Sequence, residues 1–540
     1  MIVLQHLRYR YASAGSDWVL QGINLHIAAG EYVLICGPSG SGKSTLCRVF
    51  NGLIPHFYGG KLEGKVQIAG LDTCTLPISE LFALVGFVTQ HVEAQLFNST
   101  VAEEIAFGLE SLGLSPSEID QRIEEVAALL ELESLLPRNP RQLSGGEQQL
   151  VAIAAIIALR PRVIVLDEPY ANLDARNIQR VRSILRQLNQ NGTTIIICEH
   201  RLRHIVADAS RIIVMHQGQI VSDGPPRVIV REDLTAFGIE PPPVVQVARD
   251  LALPFTPLQV QELIPAINGH QPPPSLLAAQ TFAPPTPASQ PLIQLDQVTY
   301  SIGPTPILRR VSLDIRAGEC LALVGANGAG KTTLIKHFNG LYRPQSGRVI
   351  VVDRDTRKAD VSQLARHVGL AFQNPDNQFF TTRVWNEIIV GAHMLHRYDE
   401  RWIRELVRLF DLEPLLDRSP YRLSGGEKKR VAFAASLAAQ ASILVLDEPT
   451  AGQDWHFRQA LAQQLHVLRQ RGYAIIIVTH DLEFAARHAT RWIVIADGEI
   501  VTTGQPWEVM ANTTAMQRAK LEPTQWFQIA AACNWSEALK

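Results

Sequence analysis

Three landmarks of this chain recur at one fixed interval. Ser144, Asp167 and His200 reappear as Ser424, Asp447 and His480, each 280 positions later. A repeat of that length is a whole domain, not a solenoid unit, so the chain must fold as two copies of one architecture. A fourth landmark is the pattern G-x-x-x-x-G-K-[ST]. It occurs as Gly37-Pro38-Ser39-Gly40-Ser41-Gly42-Lys43-Ser44 and as Gly325-Ala326-Asn327-Gly328-Ala329-Gly330-Lys331-Thr332. The two lysines are 288 apart, so the first copy carries eight additional residues between its glycine loop and its Ser-Gly-Gly segment.

At 540 residues the chain is too long for one ordinary core, which agrees with two domains. Its net charge of −2 argues against a basic nucleic-acid footprint. None of the six cysteines has CxxC or metal spacing. Cys36, Cys198 and Cys320 lie in apolar runs and read as small buried hydrophobes in a reducing compartment. The N-terminal residues lack a signal-peptide apolar region, and runs such as Val151–Leu159 are far shorter than the roughly 20 residues a bilayer requires. A cytoplasmic protein is expected, with any membrane-spanning part on another polypeptide.

Within each half, short apolar runs (Tyr32–Cys36 and Cys320–Val324) lead into the glycine loops. Continuous apolar runs at Val163–Leu166 and Ile443–Leu446 end in Asp-Glu, and those at Thr194–Cys198 and Ala474–Val478 precede the histidines. Strands apolar on both faces predict a parallel sheet covered by helices, an α/β fold whose ligands sit at the carboxyl ends of the strands. The expected organisation is a first domain over 1–240, a proline-rich linker over 241–291, a second domain over 292–515 and a tail over 516–540. The linker has 13 prolines and only Arg249, Asp250 and Glu262 charged. It reads as a partly ordered tether without continuous helix, with Val244–Leu253 and Leu258–Ile267 able to dock on a domain. In the tail, Trp526, Phe527 and Trp535 read as packing anchors.

The residue types point to triphosphate chemistry. Glycines let backbone N–H groups turn inward to a phosphate, and the following helix, opened by Thr45 or Thr333 after the loop, adds its positive end. Lys43 and Lys331 supply a full charge, and Ser44 and Thr332 a hydroxyl for Mg²⁺. Asp167 and Asp447 can hold the same ion. Glu168 and Glu448 can accept a proton from an attacking water or orient it. Gln90 and Gln373, each at a strand end, can touch both metal and water. His200 and His480, each 32 residues after its glutamate, can donate to a γ-phosphate. Paired acids after a strand can also simply cap a helix, and a lone histidine is ordinarily packing, but here each is repeated at the same spacing. Leu143-Ser144-Gly145-Gly146-Glu147 and Leu423-Ser424-Gly425-Gly426-Glu427 form a second anion cradle per copy. That cradle is redundant unless it grips a phosphate held by the other copy.

These elements, twice in one order, resemble the ATP-binding cassette (ABC) family over roughly 450 of the 540 residues. The resemblance implies two tandem P-loop ATPase domains, each a mainly parallel sheet with a helical subdomain and an N-terminal antiparallel part. It also implies ATP and Mg²⁺ as cofactors, and head-to-tail pairing of the halves as an intramolecular pseudo-dimer. One composite site would use Lys43, Gln90, Glu168 and His200 with Ser424 and Gly426; the other would use Lys331, Gln373, Glu448 and His480 with Ser144 and Gly146. A finer resemblance, carried by Asn51–Gly60, Phe372–Gln378 and Glu199-His200-Arg201, is to energy-coupling-factor importers of vitamins or metals. There the ATPases dock on an integral membrane coupling subunit that holds a small substrate-binding membrane subunit. This implies a peripheral protein at the cytoplasmic face of the membrane. Sugar or peptide importers and ribosome-associated ABC proteins are the alternatives. The latter usually carry a long, highly charged linker, unlike the segment here.

The copies also depart from the family pattern. Tyr11 takes the adenine-stacking position in the first half, but Ile302 stands there in the second, with Tyr300 as a substitute on the same strand face. Leu173 corresponds to Gln453, and Tyr170 to Thr450. Two competent but unequal sites are expected.

Overall fold

The computed structural model describes residues 1–12, 17–277 and 290–535. It divides into two compact units, Met1–Ala266 and Ile267–Lys540. In the first, strands Ile2–Tyr11, Leu20–Ile27, Gly60–Ile68 and Leu71–Asp72 form a four-stranded antiparallel sheet. Its first strand buries Ile2, Leu4, Leu7 and Tyr9. A register shift between Leu4 and Leu7, with His6 at φ +48°, keeps the apolar set on one face.

The second sheet of this unit has six strands. Its order is Gln219–Gly224, Arg211–His216, Tyr32–Cys36, Thr194–Cys198, Val163–Asp167, Val85–Val88. All neighbours are parallel except the first pair. The three central strands are buried along their whole length, as their unbroken apolar sequences require. Helices Val101–Ser111, Pro116–Leu130 and Gly145–Ala158 make up a helical part. The second unit repeats this plan. It has a four-stranded antiparallel sheet and a six-stranded sheet ordered Val368–Ala371, Ile443–Asp447, Ala474–Val478, Cys320–Val324, Arg491–Ala496, Glu499–Gly504. Its helical part is Val384–Met394, Glu400–Leu409 and Gly425–Leu437. The α/β architecture with an antiparallel part and a helical part is the one expected.

The repeat runs further than the motifs reveal. The proline-rich segment contains helices Pro243–Asp250 and Val260–Ile267. In the first of these, proline begins the helix rather than preventing it: Pro243 occupies its first turn, where no N–H is needed, whereas Pro265 lies within the second. Helix Pro243–Asp250 is the counterpart of Gln525–Ala532 in the tail. In each, a glutamine one turn into the helix reaches back to a proline carbonyl: Gln246 Nε2 donates to Pro241 O (2.7 Å) and Gln528 Nε2 to Pro523 O (2.8 Å). Val244, Val247 and Ala248 are buried in the first copy, and Trp526, Ile529 and Ala530 in the second. Further on, the segment belongs to the second unit, where Trp535 Nε1 donates to His270 O (3.0 Å). The remainder of the expected linker, 278–289, lies outside the described residues, as do 536–540 of the tail.

Trp526 and Trp535 are thus buried anchors, as their composition suggested. Trp526→Ala is expected to cost about 3–5 kcal/mol in the second unit, read as a lowered denaturation midpoint. Phe57→Ala, at a side chain 71% exposed, is expected to leave the midpoint within about 0.5 kcal/mol of the parent.

Candidate functional site

The two glycine loops have nearly the same backbone. Gly37 and Gly325 lie at φ +153° and +158°, and a Cβ there would come within 2.1 Å of Met215 O and 2.2 Å of Ile495 O. Only glycine permits that approach between loop and neighbouring strand. Gly42 and Gly330, both left-handed, launch helices Lys43–Phe50 and Lys331–Phe338. Ser39 and Gly40 are exposed at the loop tip, Ser41 is buried, and Asn327, Gly328 and Ala329 occupy the matching places. Lys43 Nζ folds back onto Gly37 O (2.8 Å) and Pro38 O (2.9 Å), and Lys331 Nζ onto Gly325 O (2.8 Å) and Ala326 O (2.9 Å). Both ammonium groups are therefore held inside a ring of backbone, where a phosphate would meet N–H groups and a buried cation together.

The acids arrive from the adjoining strand ends. Parallel register sets Asp167 beside Cys198 and Asp447 beside Val478. Glu168 and Glu448 then leave the sheet in the left-handed region, at φ +51° and +47°, a conformation costly for a side-chain-bearing residue. Glu168 N donates to Cys198 O (2.9 Å) and Glu448 N to Val478 O (2.9 Å). That turn aims each glutamate at its histidine. His200 Nε2 lies 2.7 Å from Glu168 Oε1, and His480 Nδ1 lies 2.9 Å from Glu448 Oε2. Burial alone would raise the Glu168 carboxyl. The attraction and hydrogen bond of His200 outweigh it, helped by Lys43 and a hydrogen bond from Gln90, and hold the group below its ordinary value. Glu448 is lowered in the same way, against burial, by His480 and Lys331. Asp167 and Asp447 are pushed the other way, to about 6, first by burial and then by the adjacent glutamate. Asp167 Oδ1 is buried and has no hydrogen-bond partner among the described residues. Ser44 hydrogen-bonds the Asp167 side chain, and Thr332 Oγ1 donates to Asp447 Oδ2 (3.2 Å). A hydroxyl and a carboxylate oxygen converge in each unit, which suits a hard divalent cation.

The structure thus brings together, in each unit, the glycine loop, its lysine, the hydroxyl, the Asp-Glu pair and the histidine. Gln90 joins them through a hydrogen bond to Glu168; Gln373, at the matching strand end of the second unit, is an exposed residue. Tyr11 stands beside the loop helix: its hydroxyl is 3.2 Å from Thr45 Oγ1 and accepts from Arg48 Nη1 (2.8 Å). In the second unit Ile302 is exposed, and Tyr300 stacks on Tyr342 with ring centroids 5.0 Å apart. Thr333 follows the second loop, and its carbonyl lies 2.8 Å from His337 Nδ1.

Ser144 and Ser424 begin the helices Gly145–Ala158 and Gly425–Leu437, with Gly145, Gly146, Gly425 and Gly426 forming the first turn. Each serine is tied into a capping box. Ser144 N and Oγ donate to Glu147 Oε2 (2.8 and 2.7 Å), and Ser424 N and Oγ to Glu427 Oε2 (2.8 and 2.7 Å). The glutamate of Leu-Ser-Gly-Gly-Glu was not singled out from the sequence, although S-x-x-E is itself a capping-box signature. A second residue missed there is buried Lys429. Its Nζ donates to Glu448 O (2.9 Å), Pro449 O (3.1 Å) and Ala451 O (2.8 Å), tying the Ser-Gly-Gly helix to the turn after the glutamate. The first unit has buried Gln149 in that place.

Known proteins share these features. A family model described as ABC transporter matches residues 20–171 and 308–451. A protein of Methanosarcina acetivorans, provisionally described as an ABC transporter ATP-binding protein, is 36% identical over 544 residues, covering 96% of this chain and 88% of that one. One of Caldanaerobacter subterraneus, described in the same words, is 35% identical over 552 residues, covering 97% and 94%. Among solved structures, an archaeal ribosome recycling factor in complex with a ribosomal stalk protein aligns over 99% of this chain and 98% of its own, with a TM-score of 0.61. At 22% identity that likeness is one of fold alone.

Gly37→Ala forces the loop away from Met215 O and is expected to remove nucleotide binding from the first unit only. Equilibrium dialysis with a non-hydrolysable ATP analogue should show about half the bound ligand of the parent, Gly325→Ala should do the same for the second unit, and the double variant should bind essentially none.

Proposed function

The chain belongs to the ABC transporter family of ATP-binding proteins and is an ATPase, and on that premise we propose that it is the energy-coupling subunit of a membrane importer of the energy-coupling-factor type. No helix among the described residues is long and apolar enough to cross a membrane, so the membrane part is assigned to separate chains: an integral coupling subunit and a small substrate-binding subunit taking a vitamin, a vitamin precursor or a metal ion. The observation that carries the coupling role is an exposed aromatic seven residues after each glutamine. Phe97 is 55% exposed and packs edge-on against exposed Phe107, with centroids 4.9 Å apart; Phe380 is 65% exposed. Such rings, within the segments 90–100 and 373–382, are apolar surface that a membrane subunit can cover.

In this reading Lys43 and Lys331 bind the β- and γ-phosphates, and the loop N–H groups orient them. Tyr11 would stack on adenine in the first unit. Ser44, Asp167 and Gln90 would hold Mg²⁺ there, with Thr332, Asp447 and Gln373 in the second unit. The ion supplies charge neutralisation on the phosphate oxygens. Glu168 and Glu448, kept ionised by their histidines, accept the proton of the attacking water, while His200 and His480 hold glutamate and γ-phosphate in line. Ser144 and Ser424, with their glycines, are assigned to the γ-phosphate bound by the opposite half, so that ATP draws the halves together and hydrolysis releases them.

Glu168→Gln with Glu448→Gln is expected to lower ATPase activity by about 10²-fold or more while leaving ATP binding intact. Full hydrolysis in the double variant would overturn the assigned roles. Separately, Phe97→Ser with Phe380→Ser should preserve ATPase activity and reduce co-purification with a detergent-solubilised membrane subunit. Co-sedimentation with ribosomes instead would favour the other reading.

A further inference from the structure

The first unit has a feature that the second lacks. Cys47, one turn after Lys43 on the loop helix, and Cys198, at the end of strand Thr194–Cys198, are both fully buried, with sulfurs 3.1 Å apart. Parallel register makes Cys198 the direct neighbour of Asp167. Cys47 Sγ, Cys198 Sγ and an Asp167 carboxylate oxygen all lie within 4.8 Å of one another. Asp167 also carries one oxygen, Oδ1, that is buried without a hydrogen-bond partner among the described residues. In the second unit the equivalent places hold Ile335 and Val478, both buried, so only Asp447 remains of the three.

We propose that Cys47, Cys198 and Asp167 form a binding site for a thiophilic divalent cation of the Zn²⁺ or Cd²⁺ class, confined to the first unit. Two sulfurs and one oxygen match the donor preference of such ions and not that of Mg²⁺, which takes oxygen alone. Metal–sulfur bonds of about 2.3 Å at a tetrahedral angle separate the sulfurs by about 3.8 Å, so a small outward shift of Cys47 suffices. Binding is a proton exchange without redox change. Two S–H bonds break, two metal–sulfur bonds and one metal–oxygen bond form, and two protons leave to solvent. Burial holds both thiols protonated in the absence of metal, pushing them above the ordinary cysteine value. They are therefore poor nucleophiles and need a cation to displace their protons.

The consequence, which rests on the ATPase assignment, is selective. A soft cation takes the carboxylate that the first site needs for Mg²⁺ and stops that site, while the second, lined by Ile335 and Val478, continues. Binding itself rests on geometry alone and is measured without turnover.

The test is titration of the reduced, full-length, nucleotide-free chain with Cd²⁺ at buffered free concentration, following the thiolate-to-Cd²⁺ charge-transfer band. The band should saturate at one equivalent per chain and be absent in Cys47→Ile/Cys198→Val, which installs the second unit's own residues. Thermal unfolding checks that this variant is folded. Asp167→Asn, with the thiols intact, should weaken binding roughly tenfold or more, and preloading with Mg²⁺ and ATP should do likewise. An undiminished band in the folded double variant, no band in the parent, or affinity indifferent to both Asp167→Asn and nucleotide would each overturn the proposal. Failure of ATPase loss in the glutamate variants, by contrast, would leave the binding result standing.

Discussion

Two carboxyl groups on adjacent residues, buried at the end of one strand, set the terms for everything around them. Two like charges cannot both ionise freely in a poorly solvated place. The structure separates them. Asp167 carries the penalty, with its carboxyl pushed to about 6 by burial and by Glu168. Glu168 escapes it because the left-handed turn at φ +51° swings it toward His200. Asp447 and Glu448 divide the burden in the same way. The glycine loop supplies the remaining counter-charge through a lysine that is itself held by backbone carbonyls. Strand register, glycine conformation and histidine placement are thus answers to one electrostatic problem.

The two copies reach that answer by different local routes. His200 meets its glutamate through Nε2 and His480 through Nδ1. In the second unit Thr479 Oγ1 also donates to Glu448 (3.2 Å). In the first, the same position is Glu199, whose Oε1 instead accepts from the backbone N–H groups of His200 (2.8 Å) and Arg201 (3.2 Å) and so braces the histidine turn. Asp481, where the first unit has Arg201, pairs with buried Arg458 and accepts from Thr450. Lys429 clamps the turn after Glu448, and its counterpart Gln149 cannot supply a charge. Gln453 lies against the Ser-Gly-Gly turn, where a Cβ on Gly426 would meet its Oε1 at 2.9 Å; apolar Leu173 is its counterpart. The substitution of Gln453 for Leu173 is therefore one of several local differences in the turns around the two glutamates.

Legibility in the sequence followed the chemistry. Glycine loops, Asp-Glu pairs and apolar strands were readable because phosphate binding and double-sided burial tolerate few residue types. The C-terminal helices were not. Val244 and Val247 do the packing that Trp526 and Ile529 do in the other copy, and any large apolar side chain fills such a place. Prolines at 241–243 pointed to a tether, yet proline is at ease in the first turn of a helix. What the two copies share there is Glu-Pro followed by a glutamine five residues on, a signal too short to outweigh composition. The eight extra residues of the first copy resolve in the same way. The two glutamines are 283 apart, so five of the eight fall before Gln90 and three after it, where helix Pro116–Leu130 is longer than Glu400–Leu409. Tyr342 was missed because its partnership with Tyr300 is a tertiary contact with no spacing rule behind it.

Fusion makes this divergence sustainable. A single chain keeps the copies at one-to-one and at high mutual concentration. Each unit also has its own hydrophobic cluster around its loop helix and sheet, so a change beneath one glycine loop need not be matched beneath the other. Cys47 and Cys198 against Ile335 and Val478 illustrate the point. All four are buried, and a thiol packs much as a small apolar group does. Folding alone has little reason to choose between the pairs. What distinguishes them is chemistry, since only the sulfur pair can respond to a soft cation. It sits beside Asp167, the carboxylate proposed above to hold Mg²⁺ in the first unit.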